Sequence, residues 1–236
     1  MKFLARHLRT VLRVLLAIIG VSMVVGGGAW AQSTGVLSKL AGGGGELYLG
    51  HRESAIPFSY VNGTGQTYEV LGYSWEICGQ VAEAIGRRLG REIKVVPVAV
   101  TANTRFLMIK TGMTSIECGG STNNVARQKL VSFSKTFYVA EVRIMVRQQS
   151  GIKQLSDLSG RRVVSVVGTT ADRLLKGAAL ARNMAIDHVF AASHGEALQM
   201  MLRGEAVAYV GDDAILAATR ASIDQNEDLV FLEDVL

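Results

Sequence analysis

Apolar and polar residues follow two different periods along this chain, and the two periods predict strands and helices in turn. Glu46–Ser54 alternates and then becomes polar, as a strand that ends in a loop does. The stretch SWEICGQVAEAIGRRLG then places apolar residues at helical spacing and stops at Gly90. A strand over Glu92–Val100, a short helix in TANTRFLMIKTG and a strand in MTSIECGG follow. The first half therefore predicts a β-α-β-α-β order.

A hairpin and a second set of alternating elements complete the predicted architecture. Asn62-Gly63 and Thr64-Gly65 supply the turn chemistry of a hairpin. Downstream, EVRIMVRQ, Arg162–Val167, AIDHVFAAS and EAVAYVGDD predict strands, and ADRLLKGAALARNM, GEALQMMLRG and DAILAATRASI predict helices. Strands that alternate with helices indicate open, largely parallel α/β sheets. We expect two similar α/β lobes that face each other.

The polar loops of this pattern fall at the predicted carboxyl ends of strands, where open α/β sheets bind their ligands. Five side chains with binding chemistry lie at or just after such ends: Arg52, Arg105, Thr170, His194 and Asp212. Any one of them alone is more often a solvated charge or a helix cap. Their shared placement predicts one polar site between the lobes. The loop ECGGSTNN, residues 117–124, lies at the same edge.

The N-terminus carries most of the net charge and predicts export. The formal charge of the chain is +5, but residues 1–31 contain four basic residues and no acidic one, so a basic nucleic-acid-binding face is not expected. A basic stretch, the apolar run VLLAIIGVSMVV and the sequence AWA are typical of a secretory signal peptide. The apolar run is too short to cross about 30 Å of hydrocarbon comfortably. We expect cleavage after Ala31 and a periplasmic protein, with an uncleaved anchor as the alternative.

Cysteines and histidines limit the chemistry of the site. Cys78 and Cys118 could form a disulfide after export, or could remain two separate buried thiols. No pair of histidines has metal-ligand spacing, and Gly42–Gly45 lacks the lysine and helix of a phosphate loop. We expect neither a metal nor another cofactor.

Seven stretches of the chain resemble the periplasmic glutamate/aspartate-binding proteins of ABC transporters. They are GHRESAIPFSY, VLGYSWEICGQVAEAI, TANTRFLMIKTG, ECGGSTNNVARQKLVSFSKTF, VVGTTADRLL, ASHGEAL and GEAVAYVGDDAILA. The resemblance runs from about Gly50 to about Glu233 and implies a type II periplasmic binding fold. In this interpretation residues 1–31 are the signal peptide, residues 32–140 form lobe 1 and residues 141–236 form lobe 2. Family members continue beyond the position of Leu236, so the resemblance implies that the C-terminal part of the first lobe is missing here.

The resemblance also implies a role for each candidate residue. Arg105 is similar to a clamp for the α-carboxylate, with help from Thr122 and Thr170, because a guanidinium binds a carboxylate in a bidentate manner. Asp212 is similar to the partner of the α-ammonium group. Arg52 and His194 are similar to the residues that read the side-chain carboxylate.

Departures from the family pattern lie close to this expected site. Ala102 and Gly120 stand where the family usually has hydroxyl side chains, and Ser115 replaces a usual aspartate. Ser121 is expected to supply a hydroxyl if the loop shifts. The implied partners are glutamate or aspartate and an inner-membrane ABC permease, and the implied protein is a monomer and not an enzyme.

Two other classes of protein share this architecture. A periplasmic enzyme, such as a dehydratase or a lytic transglycosylase, would need a cleft carboxylate with a raised pKa, and Glu53 and Glu117 are the candidates. A sensor input domain would need a downstream transmembrane helix or signalling domain. Binding of an acidic amino acid is the favoured hypothesis.

Overall fold

Strand β1 (Leu47–His51) is the centre of a three-stranded parallel sheet in the computed structural model, which describes residues 35–65, 67–223 and 228–236. It pairs with β5 (Val95–Ala99) on one side and with β6 (Ile116–Glu117) on the other. The predicted order of strands is confirmed. Strand β6 is much shorter than the predicted strand because only Ile116 and Glu117 pair with β1, and the chain then turns into the loop around Gly119.

The remaining elements of the first half include the predicted hairpin. They are α1 (Val36–Ala41), β2 (Ser54–Ala55), β3 (Ser59–Thr64), β4 (Thr67–Leu71), α2 (Tyr73–Leu89), α3 (Arg105–Lys110) and α4 (Val125–Gln128). β3 and β4 pair antiparallel, and β2 pairs with β3. Helix α2 ends where Gly90 adopts a left-handed conformation and donates its N–H to the Arg87 carbonyl oxygen, as its sequence predicts.

The core of the first half joins α2 to the face of the sheet. Leu47 and Leu49 of β1 are buried there with Cys78 and Ala82 of α2. Cys78 forms a disulfide with Cys118, with 6.1 Å between the two Cα atoms. Of the two alternatives for the cysteines, the structure therefore shows the pair. The bridge fixes α2 to the start of the ECGGSTNN loop.

The second half forms a five-stranded mixed sheet. Its strands are β7 (Val142–Arg147), β8 (Arg162–Val166), β9 (Asp187–Ala191), β10 (Ala208–Asp212) and β11 (Leu229–Val235). They lie in the order β11-β7-β10-β8-β9, with β7 antiparallel to both β10 and β11. Its helices are α5 (Thr170–Ala181), α6 (His194–Leu202) and α7 (Asp213–Ala221), and two 3-10 helices cover Gln148–Ser150 and Leu155–Leu158.

This second sheet is buried on both of its faces. Val163 and Ala208 pack into one apolar cluster, whereas their neighbours Val164 and Tyr209 pack into another on the opposite face. Successive residues of a strand point to opposite faces, so two clusters from one pair of strands require cover on both sides. The near-continuous apolar runs of β8 and β10 follow from this arrangement.

Contacts divide the chain into two units, residues 1–39 and residues 40–236, and all three sheets belong to the second. The predicted signal peptide, residues 1–31, lies outside the described residues. Among the helices that the structure describes, none combines the length and the apolar character needed to cross a bilayer.

Candidate functional site

The carboxyl ends of both sheets face one polar cleft. About 390 Å³ of empty space, open solvent included, lies there. Six of the seven side chains predicted from the sequence line it: Arg52, Arg105, Thr122, Thr170, His194 and Asp212. The other lining residues are Ala55, Gly120, Arg127, Val166, Thr169, Ala171, Val210, Gly211 and Ile215. The rule that polar loops collect at the ends of parallel strands therefore predicts five of these fifteen lining residues.

Arg52 follows β1 directly and is buried at the base of the cleft, where 4% of it is exposed. Its backbone N–H donates to Ser59 Oγ at 2.9 Å, which ties it to the hairpin. Burial, and then repulsion from Arg105, lowers the pKa of Arg52 to about 10, whereas Glu117 opposes both effects. A guanidinium this poorly solvated needs an anionic partner.

Arg105 is the first residue of α3 and not a loop residue as predicted. Thr101 and Thr104 bond reciprocally before it, each Oγ1 accepting from the other residue's N–H at 3.1 Å. This short turn directs Arg105 into the protein, where 2% of it remains exposed. Burial lowers its pKa, and Glu117 and Asp212 oppose the shift. Its Nε atom has no hydrogen-bond partner among the described residues.

His194 begins α6 and is buried beneath the two arginines. Its Nδ1 lies 2.6 Å from the hydroxyl oxygen of Tyr209, a fully buried residue of β10. Complete burial, and then repulsion from Arg52 and Arg105, lowers the pKa of His194 to about 3. The imidazole is therefore neutral at physiological pH and contributes hydrogen bonds to the cleft without adding charge.

Asp212 supplies the acidic side of the cleft. It is the last residue of β10 and immediately precedes α7. Burial raises its pKa to about 6, and the neighbouring charge of Asp213 acts in the same direction. Arg127 and Arg105 oppose that shift. Asp212 is consequently close to its titration point near neutral pH until a cation is placed against it.

Thr122 and Thr170 meet across the cleft. The Thr170 hydroxyl donates to Thr122 Oγ1 at 3.0 Å, although the two residues belong to different halves of the chain. Thr170 opens α5, and the preceding Thr169 caps that helix by accepting the Asp172 N–H at 3.1 Å. Free backbone N–H groups and the positive end of the helix dipole point into the cleft from such a helix start.

Arg127 is the charged lining residue that was not among the side chains predicted from the sequence. It lies in the single turn of α4, where its N–H donates to the capping side chain of Asn124 at 3.0 Å. Its guanidinium donates to the Thr122 carbonyl oxygen at 3.0 Å and to the Gly168 carbonyl oxygen at 3.2 Å. Burial, and then repulsion from Arg105 and Arg173, lowers its pKa to about 10. The motif NNVAR contains the signal, because a cap at Asn124 fixes Arg127 one turn later.

Ser121 is the predicted side chain that the structure places elsewhere. Its hydroxyl is buried without a hydrogen-bond partner in the described part of the chain, and it lines a neighbouring wider groove. Gly120 lines the cleft instead, and a Cβ added there would meet Phe58 Cδ2 at 3.4 Å. Ala102 is buried, and its backbone packs against Gly168 of the other half. No group of three or more metal-ligating side chains occurs among the described residues.

Most of the chain is similar in sequence to known bacterial binding proteins. Residues 47–228 match the model of the bacterial extracellular solute-binding proteins, family 3. The chain is 38% identical over 200 residues to an L-glutamate/L-aspartate-binding protein of Pseudomonas aeruginosa, covering 84% of this chain and 65% of that protein. It is 35% identical over 188 residues to a glutamate/aspartate import solute-binding protein of Escherichia coli, covering 78% and 60%. The aligned part thus spans less than two thirds of either relative.

Solved structures show the same fold. The P235GK mutant of ArgBP from T. maritima superposes with a TM-score of 0.70 and 28% identity, covering 85% of this chain and 81% of that one. The arginine-bound form of a truncated ArgBP from T. maritima gives the same TM-score of 0.70, covering 84% and 86%. The predicted type II periplasmic binding fold is confirmed.

Proposed function

Because the chain belongs to the bacterial extracellular solute-binding proteins, family 3, we propose that it captures glutamate or aspartate outside the cytoplasm and delivers it to an ABC permease. The distribution of positive and negative side chains in the cleft supports this proposal. Three guanidiniums, Arg52, Arg105 and Arg127, line it with a single carboxylate, Asp212. An acidic amino acid brings two carboxylates and one ammonium group, so the ammonium can pair with Asp212 while the three guanidiniums share the two carboxylates.

The surroundings of the arginines divide them into two groups. Arg127 lies with Thr122, Thr170 and the start of α5. An α-carboxylate placed there would receive a guanidinium, two hydroxyl groups and helix N–H donors. We therefore assign the α-carboxylate to Arg127, whereas the family resemblance suggested Arg105.

The second group would read the side chain of the ligand. Arg52, Arg105 and His194 line the same cleft, and both guanidiniums lower the pKa of His194. We assign the side-chain carboxylate to these two guanidiniums and the neutral imidazole. A ligand that lacks this carboxylate would leave two buried cations without a partner, so neutral amino acids should be rejected. Asp212 would hold the ammonium group.

The proposal describes a binding protein and not an enzyme. Glu53 and Glu117, the two glutamates that an acid-base mechanism would use, are not among the lining residues of the cleft, and Glu53 is exposed. The relatives from P. aeruginosa and E. coli are likewise named as binding proteins. Contacts with the ligand from both halves would stabilise a closed form for the permease, because only a difference in affinity between two states can drive closure.

Isothermal titration calorimetry with a panel of amino acids tests this function. Folding of the purified chain is first checked by circular dichroism. We expect heat of binding for L-glutamate or L-aspartate, and none for glutamine, asparagine or arginine at the same concentrations. A folded protein that gives no heat with either acidic amino acid, or that binds arginine more tightly, would contradict the proposal.

A further inference from the structure

Glu117 influences the arginines of the cleft although it is not one of the residues that line the cleft. It is the second residue of β6 and pairs with Gly50 of β1, two residues before Arg52. Its Oε1 atom is buried and accepts no hydrogen bond among the described residues. A carboxylate oxygen buried without a partner is costly, so its presence at this position requires an explanation from nearby charge.

Gly119 provides the space for this carboxylate. A Cβ added at Gly119 would overlap Glu117 Oε1 and would lie 2.8 Å from Cγ of Arg52. The Glu117 carboxylate and the aliphatic part of the Arg52 side chain therefore occupy the space that a side chain at Gly119 would need. Gly119 does not adopt a positive φ. A glycine is thus required at this position for space and not for its backbone conformation.

The charge of Glu117 reaches all three arginines of the cleft. It opposes the lowering of the pKa of Arg52, Arg105 and Arg127, and it is the strongest opposing charge for Arg52 and for Arg105. Asp212 acts on Arg105 and Arg127 only. The guanidiniums repel each other, since Arg105 lowers the pKa of both others. Glu117 is therefore the acidic side chain that all three have in common.

We propose that Glu117 is a positioning residue, which holds Arg52 and Arg105 in place for the side-chain carboxylate of the ligand. This inference rests on the proposed function. Its carboxylate packs over Gly119 beside the Arg52 stem and gives the crowded guanidiniums a shared counter-charge before ligand arrives. It touches no ligand itself. Specificity for a dicarboxylic amino acid then depends on a residue outside the lining of the cleft.

The test compares Glu117→Gln with Glu53→Gln. Both variants remove one negative charge near Arg52, but Glu53 is exposed and Glu117 has a buried oxygen. We expect E117Q to weaken binding of L-glutamate by roughly ten-fold or more, as the loss of groups that orient ligand-contacting side chains does. E53Q should stay within about two-fold of the wild type, since exposed charges interact weakly. Equal affinities of the two variants in calorimetry would overturn the proposal.

A second measurement follows hydrogen exchange at the two arginines in the absence of ligand. We expect the Nε–H signals of Arg52 and Arg105 in ¹⁵N NMR spectra to exchange with solvent faster in E117Q than in the wild type and in E53Q. Unchanged exchange in E117Q would overturn the positioning role, even if affinity fell. Because this readout needs no ligand, it separates failure of this inference from failure of the proposed function, in which the wild type would bind neither acidic amino acid.

Gly119→Ala provides a test that keeps the charge of Glu117. The added methyl group would displace the carboxylate and the Arg52 stem from their shared volume. We expect the same direction of change as in E117Q, with lower affinity for L-glutamate and faster Nε–H exchange, in protein shown to be folded by its thermal transition. A folded G119A variant with wild-type affinity and exchange would contradict the geometry on which the proposal is based.

Discussion

His194 Nδ1 lies 2.6 Å from the hydroxyl oxygen of Tyr209, and this contact joins the start of α6 to β10. Tyr209→Phe removes the partner and leaves a polar nitrogen buried. We expect a loss of about 1–3 kcal/mol in the free energy of unfolding, measured by urea denaturation. Tyr60→Phe is the control, since Tyr60 of β3 is only partly buried. Equal urea midpoints for both variants would contradict this role.

The raised pKa of Asp212 predicts that affinity depends on pH. Asp212 titrates at about 6 in the free protein, and it must be ionised to hold an ammonium group. Binding below that pH therefore releases a proton, and the dissociation constant should rise by up to about ten-fold for each pH unit below 6. Above pH 7 it should be constant. The pKa of His194, at about 3, lies outside this window.

Calorimetry between pH 4.5 and 8 measures this dependence, and Asp212→Asn is the control. Asparagine cannot ionise, so D212N should bind more weakly at pH 8 and should show little change in affinity across pH 6. A wild-type affinity that does not change between pH 5 and pH 7 would show that Asp212 is not the partner of the ammonium group.

Arg52 and Arg127 should affect ligand choice differently. Arg52→Gln removes a reader of the side-chain carboxylate, so affinity for glutamate should fall by about 10²-fold or more, the scale of a broken buried ion pair. The preference for glutamate over glutamine should narrow in the same variant, because fewer buried cations are left without a partner when glutamine binds. Arg127→Gln removes the contact with the α-carboxylate that both ligands have, so it should weaken both alike. Competition binding against a labelled ligand measures the two ratios, and a reversed pattern would exchange the two assignments.

Gly120→Ser should strengthen binding. The residue lines the cleft, and an added Cβ would contact the ring of Phe58, with Cδ2 at 3.4 Å and Cγ at 3.9 Å. A serine hydroxyl there could bond to the ligand, and a gain of about 0.5–1.5 kcal/mol in binding free energy is expected. Ala102→Ser is the matched comparison, since Ala102 is buried and does not line the cleft. No gain for G120S, or a gain only for A102S, would contradict the geometry.

Topology explains which site residues the sequence could predict. Arg52, Thr170, His194 and Asp212 all lie at or just after the carboxyl ends of strands, and those ends meet at one edge whatever the side-chain details. The period of apolar residues locates the strands and therefore also these four positions. The predicted alternation of strands and helices succeeds for the same reason.

The spacing of apolar residues does not show in which direction a side chain of a loop points. Ser121 and Gly120 are neighbours, yet only Gly120 lines the cleft. Arg127 lies in a helix of one turn, which is too short for a pattern to show which face points inward. The pairing of Cys78 with Cys118 depends on a distance between α2 and the end of β6 that a strand order alone does not give.

A crystal structure with bound L-glutamate tests the central claim most directly, namely that this cleft recognises both ends of a dicarboxylic amino acid. We predict ligand density in the cleft, with its α-carboxylate on Arg127 and Thr170 and its side-chain carboxylate on Arg52, Arg105 and His194. Ligand found in the neighbouring groove beside Ser121, or bound in the cleft with its side-chain carboxylate away from Arg52 and Arg105, would contradict the account.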